Sequence, residues 1–194
     1  LGLEARQDAL LFGFVGRLAE QKGLELLLPV VPELLRAGAQ LAVLGTGEAG
    51  YEQALQALAE AHPDAVAVVL AYNETVAHRI EAAADVFLMP SLFEPCGLNQ
   101  MYSLRYGTLP LVRAVGGLAD TVVDADEAAV AAGTATGFVF HQVEPEALLN
   151  AARRALQLWL DPAAWRGLQR TAMRQDFSWE CSARRYLELY RSGD

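Results

Sequence analysis

The alternation of apolar runs with amphipathic runs is the feature that most limits how this chain folds. Short, nearly continuous hydrophobic runs, as expected for strands buried on both faces, alternate with longer segments of helical periodicity. We predict strands at 10–15, 40–45, 65–70, 85–90 and 109–113, and helices at 24–38, 51–62, 75–84, 99–107, 145–160 and 178–190. This order predicts an α/β fold, a doubly wound, Rossmann-like parallel sheet with helices on both faces.

Length and charge narrow the class of protein further. The 194 residues suit one domain, 1–194, and 53% of them are hydrophobic while 20% are charged. A formal net charge of -9 argues against a nucleic-acid partner, and no run is long enough for a membrane-spanning helix. Two cysteines make no disulfide framework, so we expect a cytoplasmic location. The chain opens at Leu1 without methionine or a signal peptide, and we expect a piece of a longer protein.

The turn after the first predicted strand carries two cations at the sheet edge where doubly wound folds bind ligands. Arg17 and Lys22 lie in the segment GRLAEQKG, and Lys22 is the only lysine among 15 basic residues. A planar guanidinium and a compact ammonium would together suit a diphosphate. The alternative is that both residues form a solvated cap on the following helix.

The turn after the second strand, GTGEAG at 45–50, predicts a rival site. It matches the G-x-G-x-x-G pattern of nicotinamide-dinucleotide-binding domains, and Glu74 follows at about the position of a ribose-binding carboxylate. Against this reading, Glu48 lies inside the loop and would repel a pyrophosphate, and the motif does not follow the first strand. The alternative is a tight turn whose glycines supply positive φ angles.

The segment SLFEPCGLNQ, at 91–100, joins the fourth predicted strand to the fourth helix. The amides of Gly97, Leu98 and Asn99 would point outward from the helix start, where they suit a phosphate. Glu94 would repel phosphate but would accept hydrogen bonds from sugar hydroxyls. The segment therefore predicts a site with a phosphate side and a sugar side.

Other reactive side chains form no recognisable site in the sequence. Tyr72, after the third strand, would stack on a base, although such a tyrosine more often lies in the core or at its rim. Asn73 would cap the helix behind it. Cys96 has no histidine near it and is expected to be a small buried filler. The three histidines lack metal-ligand spacing, so we expect neither a metal site nor a catalytic triad.

Taken together, these segments resemble the bacterial glycogen (starch) synthases, which are retaining glycosyltransferases of the GT-B fold. The resemblance covers nearly the whole chain, and its most specific parts are FEPCGLNQ, RYGTLPLVR and GGLADTV. It implies the C-terminal, nucleotide-sugar-binding half of an enzyme whose active site lies between two Rossmann-like halves. The family's Lys-Thr-Gly-Gly-Leu loop and cleft histidine belong to the N-terminal half and have no counterpart here.

The resemblance also implies roles for individual residues. The residues implied to act in catalysis are Arg17, Lys22 and Glu94, and those implied to hold the nucleotide are Tyr72, Gly97, Leu98 and Asn99. The two cations match the family's diphosphate-binding residues, and the tyrosine matches the aromatic residue beside the adenine. The glutamate matches the carboxylate near the donor glucose, and the last three residues match the phosphate cradle. Leu92 stands where many relatives have arginine, and Asn99 stands where many have threonine. Whether the side chain of Asn99 bonds to phosphate is therefore left open.

The implied reaction transfers glucose from ADP-glucose to the non-reducing end of an α-1,4-glucan with retention. ADP-glucose would be the donor substrate, and no cofactor or metal is implied, because the cations and the helix start would stabilise the departing diphosphate. The glucan would contact mainly the absent N-terminal half. This chain alone is therefore expected to bind ADP weakly and to be inactive, and UDP-glucose stays open as the donor.

The terminal helix, 179–191, raises the alternative of a non-catalytic interaction module. Five residues fall on one stripe of this helix: Trp179, Ala183, Tyr186, Leu187 and Tyr190. In the resembled family this segment crosses back to the N-terminal half. Without that half, we expect the stripe to dock on this domain, to stay exposed, or to mediate self-association.

Overall fold

The computed structural model describes residues 1–192, which form one six-stranded sheet with helices around it. The strands are β1 (Leu11–Val15), β2 (Gln40–Leu44), β3 (Val66–Val69), β4 (Val86–Met89), β5 (Leu109–Arg113) and β6 (Phe138–Phe140). Their order across the sheet is β3-β2-β1-β4-β5-β6, and all neighbouring pairs are parallel. The predicted α/β fold with a parallel sheet is confirmed.

Helices connect the strands and cover the sheet. They are α1 (Leu24–Leu27), α2 (Val31–Arg36), α3 (Ala49–Ala61), α4 (Glu74–Ala83), α5 (Asn99–Tyr106), α6 (Gly116–Thr121), α7 (Glu127–Ala132), α8 (Pro145–Trp159), α9 (Pro162–Met173) and α10 (Trp179–Arg191), with a 3₁₀ turn at Glu20–Lys22. Within the part of the chain that the structure describes, no helix is both long enough and apolar enough to cross a bilayer.

Both faces of the sheet are buried because successive side chains of a strand point to opposite sides. On β4, Val86 and Leu88 belong to the larger hydrophobic cluster, whereas Phe87 and Met89 pack with Leu118 of α6 on the other face. All of β4 is buried. This two-sided burial explains why the strands are nearly continuous apolar runs.

The strand order changes direction between β1 and β4, and this topological switch point positions the site. Chain segments leave β1 toward β2 on one side and leave β4 toward β5 on the other. The loops that follow the two strands therefore diverge and leave a crevice at the carboxyl edge of the sheet. Residues 16–23 follow β1 and residues 90–98 follow β4, so the two main predicted segments lie on this crevice.

The predicted helix at 24–38 is wrong as a single element, because it is divided into α1 and α2. Pro29 lies in the turn between them and has no amide hydrogen with which to continue the helical ladder. Pro32 lies in the first turn of α2, where an amide hydrogen is not needed. The apolar pattern at 24–38 indicates that this segment packs into one core, but it does not indicate where each helix ends.

Two helices and one strand of the C-terminal part were absent from the predicted periodicity. The strand β6 has only three residues, too few to show a strand period. The helix α7 is a six-residue segment, too short to show a helical period. The helix α9 does have a start signal in the sequence, because Asp161 is followed by a proline. In the structure, Asp161 caps the helix by accepting hydrogen bonds from the amides of Ala163 and Ala164.

The last helix, α10, contributes no buried residue to the domain. Trp179 and Tyr190 are 87% and 76% exposed, and Tyr186 and Leu187 are also exposed. Ser178 caps the helix by accepting a hydrogen bond from the amide of Cys181. The apolar stripe therefore does not dock on this domain, and self-association through it stays a prediction.

Candidate functional site

Two adjoining cavities lie at the carboxyl edge of the sheet, beside β1 and β4. The smaller has a volume of about 270 Å³, and six of the seven predicted site residues line it: Arg17, Lys22, Glu94, Gly97, Leu98 and Asn99. The larger has a volume of about 760 Å³ and contains the seventh, Tyr72. Arg17 and Asn99 line both cavities. The fold thus brings together residues that are up to 82 positions apart, counted from Arg17 to Asn99 (99 − 17).

An ion pair between Lys22 and Glu94 crosses the smaller cavity. Lys22 Nζ donates to Glu94 Oε2 at 2.6 Å, and the two side chains are 25% and 11% exposed. The hydroxyl of Ser91 also donates to Glu94 Oε2, at 3.2 Å. The cation predicted for the phosphate side and the carboxylate predicted for the sugar side are therefore direct neighbours, which the sequence did not indicate.

The loop that carries Glu94 is held in place by hydrogen bonds to its backbone. Arg113, at the end of β5, donates to the carbonyls of Ser91 and Leu92 at 2.8 and 2.5 Å. The side-chain amide of Gln21 donates to the carbonyl of Phe93 at 3.1 Å. Sequence reasoning missed both supporting residues, although the position of Arg113 at the carboxyl end of a strand was a usable signal.

Arg17 lies where the two cavities meet. Its Nη2 donates to Gln21 Oε1 at 2.9 Å, and no carboxylate in residues 1–192 forms a salt bridge with it. Among the residues that line the smaller cavity, Arg17 is thus a cation that remains unneutralised, whereas Lys22 is paired. A negatively charged ligand that enters either cavity would meet this guanidinium.

The start of α5 faces the smaller cavity. Its N-cap residue, Leu98, offers no side-chain acceptor to the first amides of the helix, so these donors are open to a ligand. Gly97 has a φ angle of 72°, a conformation that lets the backbone turn into the helix beside the cavity. The side chain of Asn99 donates to the carbonyl of Val15 at 3.2 Å, so it fastens α5 to β1. The backbone of this segment, more than the Asn99 side chain, suits a phosphate.

Two glycines of α6 support the same loop from behind. A Cβ atom at Gly116 would lie 2.1 Å from the carbonyl oxygen of Glu94, and one at Gly117 would lie 2.2 Å from that of Cys96. Any side chain at either position would push the loop away. The segment VGGLADT, which by itself indicates only a turn, is therefore part of the support of the site.

Cys96 is exposed, so its prediction as a small buried filler is wrong. The loop at 91–98 lies at the surface of the crevice and not in the core, and the thiol donates only to the carbonyl of Gly97, at 3.4 Å. Cys181 is also free. Among residues 1–192 no three metal-ligating side chains are clustered in a way that would hold an ion.

Tyr72 lies at the rim of the larger cavity. Its side chain is 88% exposed, and its hydroxyl donates to Glu74 Oε1 at 3.0 Å. Asn73 caps α4, as predicted, by accepting a hydrogen bond from the amide of Val76 at 3.0 Å. An exposed, rigidly anchored aromatic ring at a cavity rim is suited to stacking on a planar ligand.

The glycines of GTGEAG have a packing role. A Cβ atom at Gly45 would lie 1.9 Å from the carbonyl oxygen of Gly16, and one at Gly47 would lie 2.1 Å from that of Leu18. The amide of Glu48 donates to the carbonyl of Leu18 at 2.8 Å. These glycines therefore let the second loop lie against the loop that carries Arg17, and the nicotinamide-dinucleotide reading is not favoured.

A doubly wound parallel sheet with cavities at its switch point places this chain in the class of α/β domains that have the architecture of nucleotide-binding folds. The chain belongs to the glycosyl transferases group 1 family, whose model matches residues 3–169.

The most similar curated proteins that we compared are glycogen synthases. One from Anaeromyxobacter dehalogenans is 56% identical over 192 residues, which cover 99% of this chain and 40% of the relative. Another, from Edwardsiella ictaluri, is 54% identical over 191 residues, which cover 98% and 40%. The chain thus spans about two fifths of the length of these relatives, and its predicted resemblance to the family is confirmed.

Solved structures give the same result. The catalytic domain of starch synthase IV from Arabidopsis thaliana, bound to ADP and acarbose, matches 99% of this chain with a TM-score of 0.89 and 36% identity, over 40% of its own length. Sucrose-phosphate synthase from Thermosynechococcus elongatus matches 97% of this chain and 46% of its own, with a TM-score of 0.69 and 26% identity. The predicted GT-B half-fold is confirmed by the first of these.

Proposed function

We propose that this chain is the nucleotide-sugar-binding domain of a glycogen synthase that transfers glucose from ADP-glucose to the non-reducing end of an α-1,4-glucan, with retention. The observation that carries this proposal is the gathering of Arg17, Lys22, Glu94 and the start of α5 around one cavity. The similarity of nearly the whole chain to glycogen synthases supports it.

In this proposal the donor diphosphate occupies the smaller cavity. Arg17, Lys22 and the open amides at the start of α5 would bind it, with about 1.5–3 kcal/mol for each charge-assisted hydrogen bond. The nucleoside would pass Arg17 into the larger cavity and stack on Tyr72. The ADP in the similar starch synthase structure supports a nucleoside diphosphate as ligand.

The charges around the smaller cavity suit glycosyl transfer. As the bond between the anomeric carbon and the phosphate oxygen breaks, the leaving diphosphate gains negative charge, which the two cations and the helix start would stabilise. The sugar becomes oxocarbenium-like at the same time. Glu94 would bind its hydroxyls and favour its developing positive charge. ADP-glucose is the donor substrate in this scheme, and no cofactor takes part.

The rest of the enzyme is proposed to complete the site. Because the chain spans about 40% of its relatives, a further domain would close the cleft and bind most of the glucan. The exposed stripe of α10 would pack on that domain. Residues 1–194 would then form the donor-binding half of the enzyme, with a last helix that crosses to the other half. The isolated chain would then bind ADP but be inactive. A cytoplasmic location stays a prediction.

Calorimetry with ADP tests the diphosphate site in the isolated chain. We expect Lys22→Ala and Arg17→Ala each to weaken ADP binding roughly ten- to a hundredfold, the equivalent of one lost charge-assisted hydrogen bond. Arg153→Ala is the matched control, since Arg153 is an exposed arginine of α8 that pairs with Glu146 and lines neither cavity. Equal affinity in wild type and all variants would remove the assignment, and tighter binding of NAD than of ADP would restore the rival reading.

A further inference from the structure

A histidine and a buried glutamate line the larger cavity and have no part in the scheme above. His78 and Glu81 lie one turn apart on α4, with Nδ1 of the histidine 3.0 Å from Oε2 of the glutamate. The side chain of Glu81 is 3% exposed, whereas that of His78 is 57% exposed. The imidazole also lies beside the rings of Tyr102 and Tyr106, with centroids 6.4 and 6.5 Å away. The imidazole thus has one hydrogen-bond partner and two aromatic neighbours.

The glutamate sets which nitrogen of the histidine carries a proton. Burial raises the pKa of Glu81, and the hydrogen bond with His78 offsets only part of that shift. When Glu81 is ionised its carboxylate can only accept hydrogen bonds, and Nδ1 is then the donor. Nε2 of the neutral imidazole is then an acceptor, and no protein group within residues 1–192 bonds to it. The outer edge of the ring therefore presents a free acceptor.

The remaining polar groups of the larger cavity also favour a ligand that donates hydrogen bonds. Its lining includes the carboxylates of Glu74 and Glu81, and Arg17 at the junction is the one Arg or Lys among its lining residues. A phosphate deep in this cavity would meet negative charge, whereas a neutral base with an amino group would meet acceptors. The smaller cavity, with its two cations, instead favours a negatively charged group.

We propose that His78, with its tautomer set by Glu81, selects the nucleobase of the donor by accepting a hydrogen bond from an exocyclic amino group. The proposal rests on the function inferred above, since it takes the nucleoside of a bound diphosphate to occupy the larger cavity. His78 is the residue that contacts the base, and Glu81 is a positioning residue. Bases with an amino group at that position are favoured over the same bases with a carbonyl oxygen.

Calorimetry of the chain with ADP and inosine diphosphate (IDP) tests this inference, because IDP has a carbonyl oxygen in place of the 6-amino group, with a proton on the adjacent N1. We expect wild type to bind ADP about tenfold more tightly than IDP, since a carbonyl oxygen facing Nε2 leaves two acceptors opposed. His78→Ala should bring this ratio to about one by weakening ADP alone. Glu81→Gln replaces a group that only accepts by an amide that can accept or donate, so the tautomer of His78 is no longer fixed and the ADP-to-IDP ratio should fall toward one.

Two further variants separate base selection from general damage. Arg79→Ala alters an exposed neighbour on the same helix that lines neither cavity and should keep the wild-type ratio. Tyr72→Ala should weaken ADP and IDP equally, because stacking does not depend on the amino group. The pair CDP and UDP repeats the comparison on a pyrimidine. An equal affinity of wild type for ADP and IDP, or a preference that survives His78→Ala, overturns the inference.

The same titrations separate this inference from the proposed function. If ADP and IDP bind equally but both weaken in Lys22→Ala, the diphosphate site stands and the role of His78 is refuted. If ADP is preferred over IDP but Lys22→Ala and Arg17→Ala have no effect, the diphosphate site is refuted. If neither nucleotide binds at millimolar concentration, both are refuted.

Discussion

The ion pair of Lys22 and Glu94 joins two residues that would contact different parts of the donor. Glu94 is nearly buried, and besides Lys22 its carboxylate has the hydroxyl of Ser91 as a partner. The pair orients both side chains before any ligand arrives. When a diphosphate binds, Lys22 would be shared between two anions, so Glu94 would tune how strongly the lysine holds the leaving group.

Substitutions in this pair should have unequal effects on folding. We expect Lys22→Ala to lower the free energy of unfolding by about 1–3 kcal/mol, because it leaves a nearly buried carboxylate short of a partner. Glu94→Gln, which removes the charge but keeps the shape, should cost less, and the double variant should recover part of the Lys22→Ala loss. Urea unfolding followed by tryptophan fluorescence measures all three, and a Lys22→Ala chain as stable as wild type would contradict the expectation.

At the scale of elements, the site depends on loops that fasten one another. Leu92 donates its amide to the carbonyl of Gln21 at 2.8 Å, Gln21 in turn binds Phe93, and Arg113 holds the other side of the same loop. The loops after β1, β4 and β5 therefore form one unit. A change in any of them would be expected to move Glu94 and Lys22 together.

The helix α10 is the element whose apolar surface lacks a partner in the described part of the chain. We expect the isolated chain to elute at a larger apparent size as its concentration rises, because Trp179, Tyr186 and Tyr190 are exposed on one stripe. Replacing Trp179 and Tyr190 together by serine should abolish that dependence, while Glu188→Ser on the same helix should not. Gel filtration at two concentrations is the measurement, and a wild-type chain that is monomeric at both would exclude self-association.

At the scale of the whole molecule, buried carboxyls link stability to pH. Burial raises the pKa of Asp85, and the hydrogen bond that it accepts from the amide of Leu11 offsets part of this shift. At a pH just above 3.8, the ordinary pKa of an aspartate, the folded chain therefore binds more protons than the unfolded chain. The contribution of Asp85 to the free energy of unfolding therefore decreases as pH rises above 3.8. We expect Asp85→Asn, which keeps an acceptor for Leu11, to gain stability relative to wild type as pH rises above 3.8. Urea unfolding across that range checks this, with the exposed Asp64→Asn as control, and parallel curves would contradict it.

How far the sequence specified the molecule depends on how local each signal is. Five of the six strands and the crevice followed from apolar runs and their order, since a strand buried on both faces must be apolar throughout. The contact of Lys22 with Glu94 and the support from Arg113 did not follow, because they join residues far apart in sequence through side-chain geometry. Cys96 was placed wrongly for a related reason, as its residue type favours burial but its loop lies at the surface.

The two cavities meet at Arg17, and this division has a consequence for how such a domain changes over evolution. Residues of α4 and the loop before it line the larger cavity, while the loop after β4 and the start of α5 line the smaller one together with β1 and the loop after it. Under the proposed function, substitutions in the larger cavity would alter which nucleotide is accepted without disturbing the charges that act on the donor diphosphate. Donor preference would then drift while the chemistry is inherited intact.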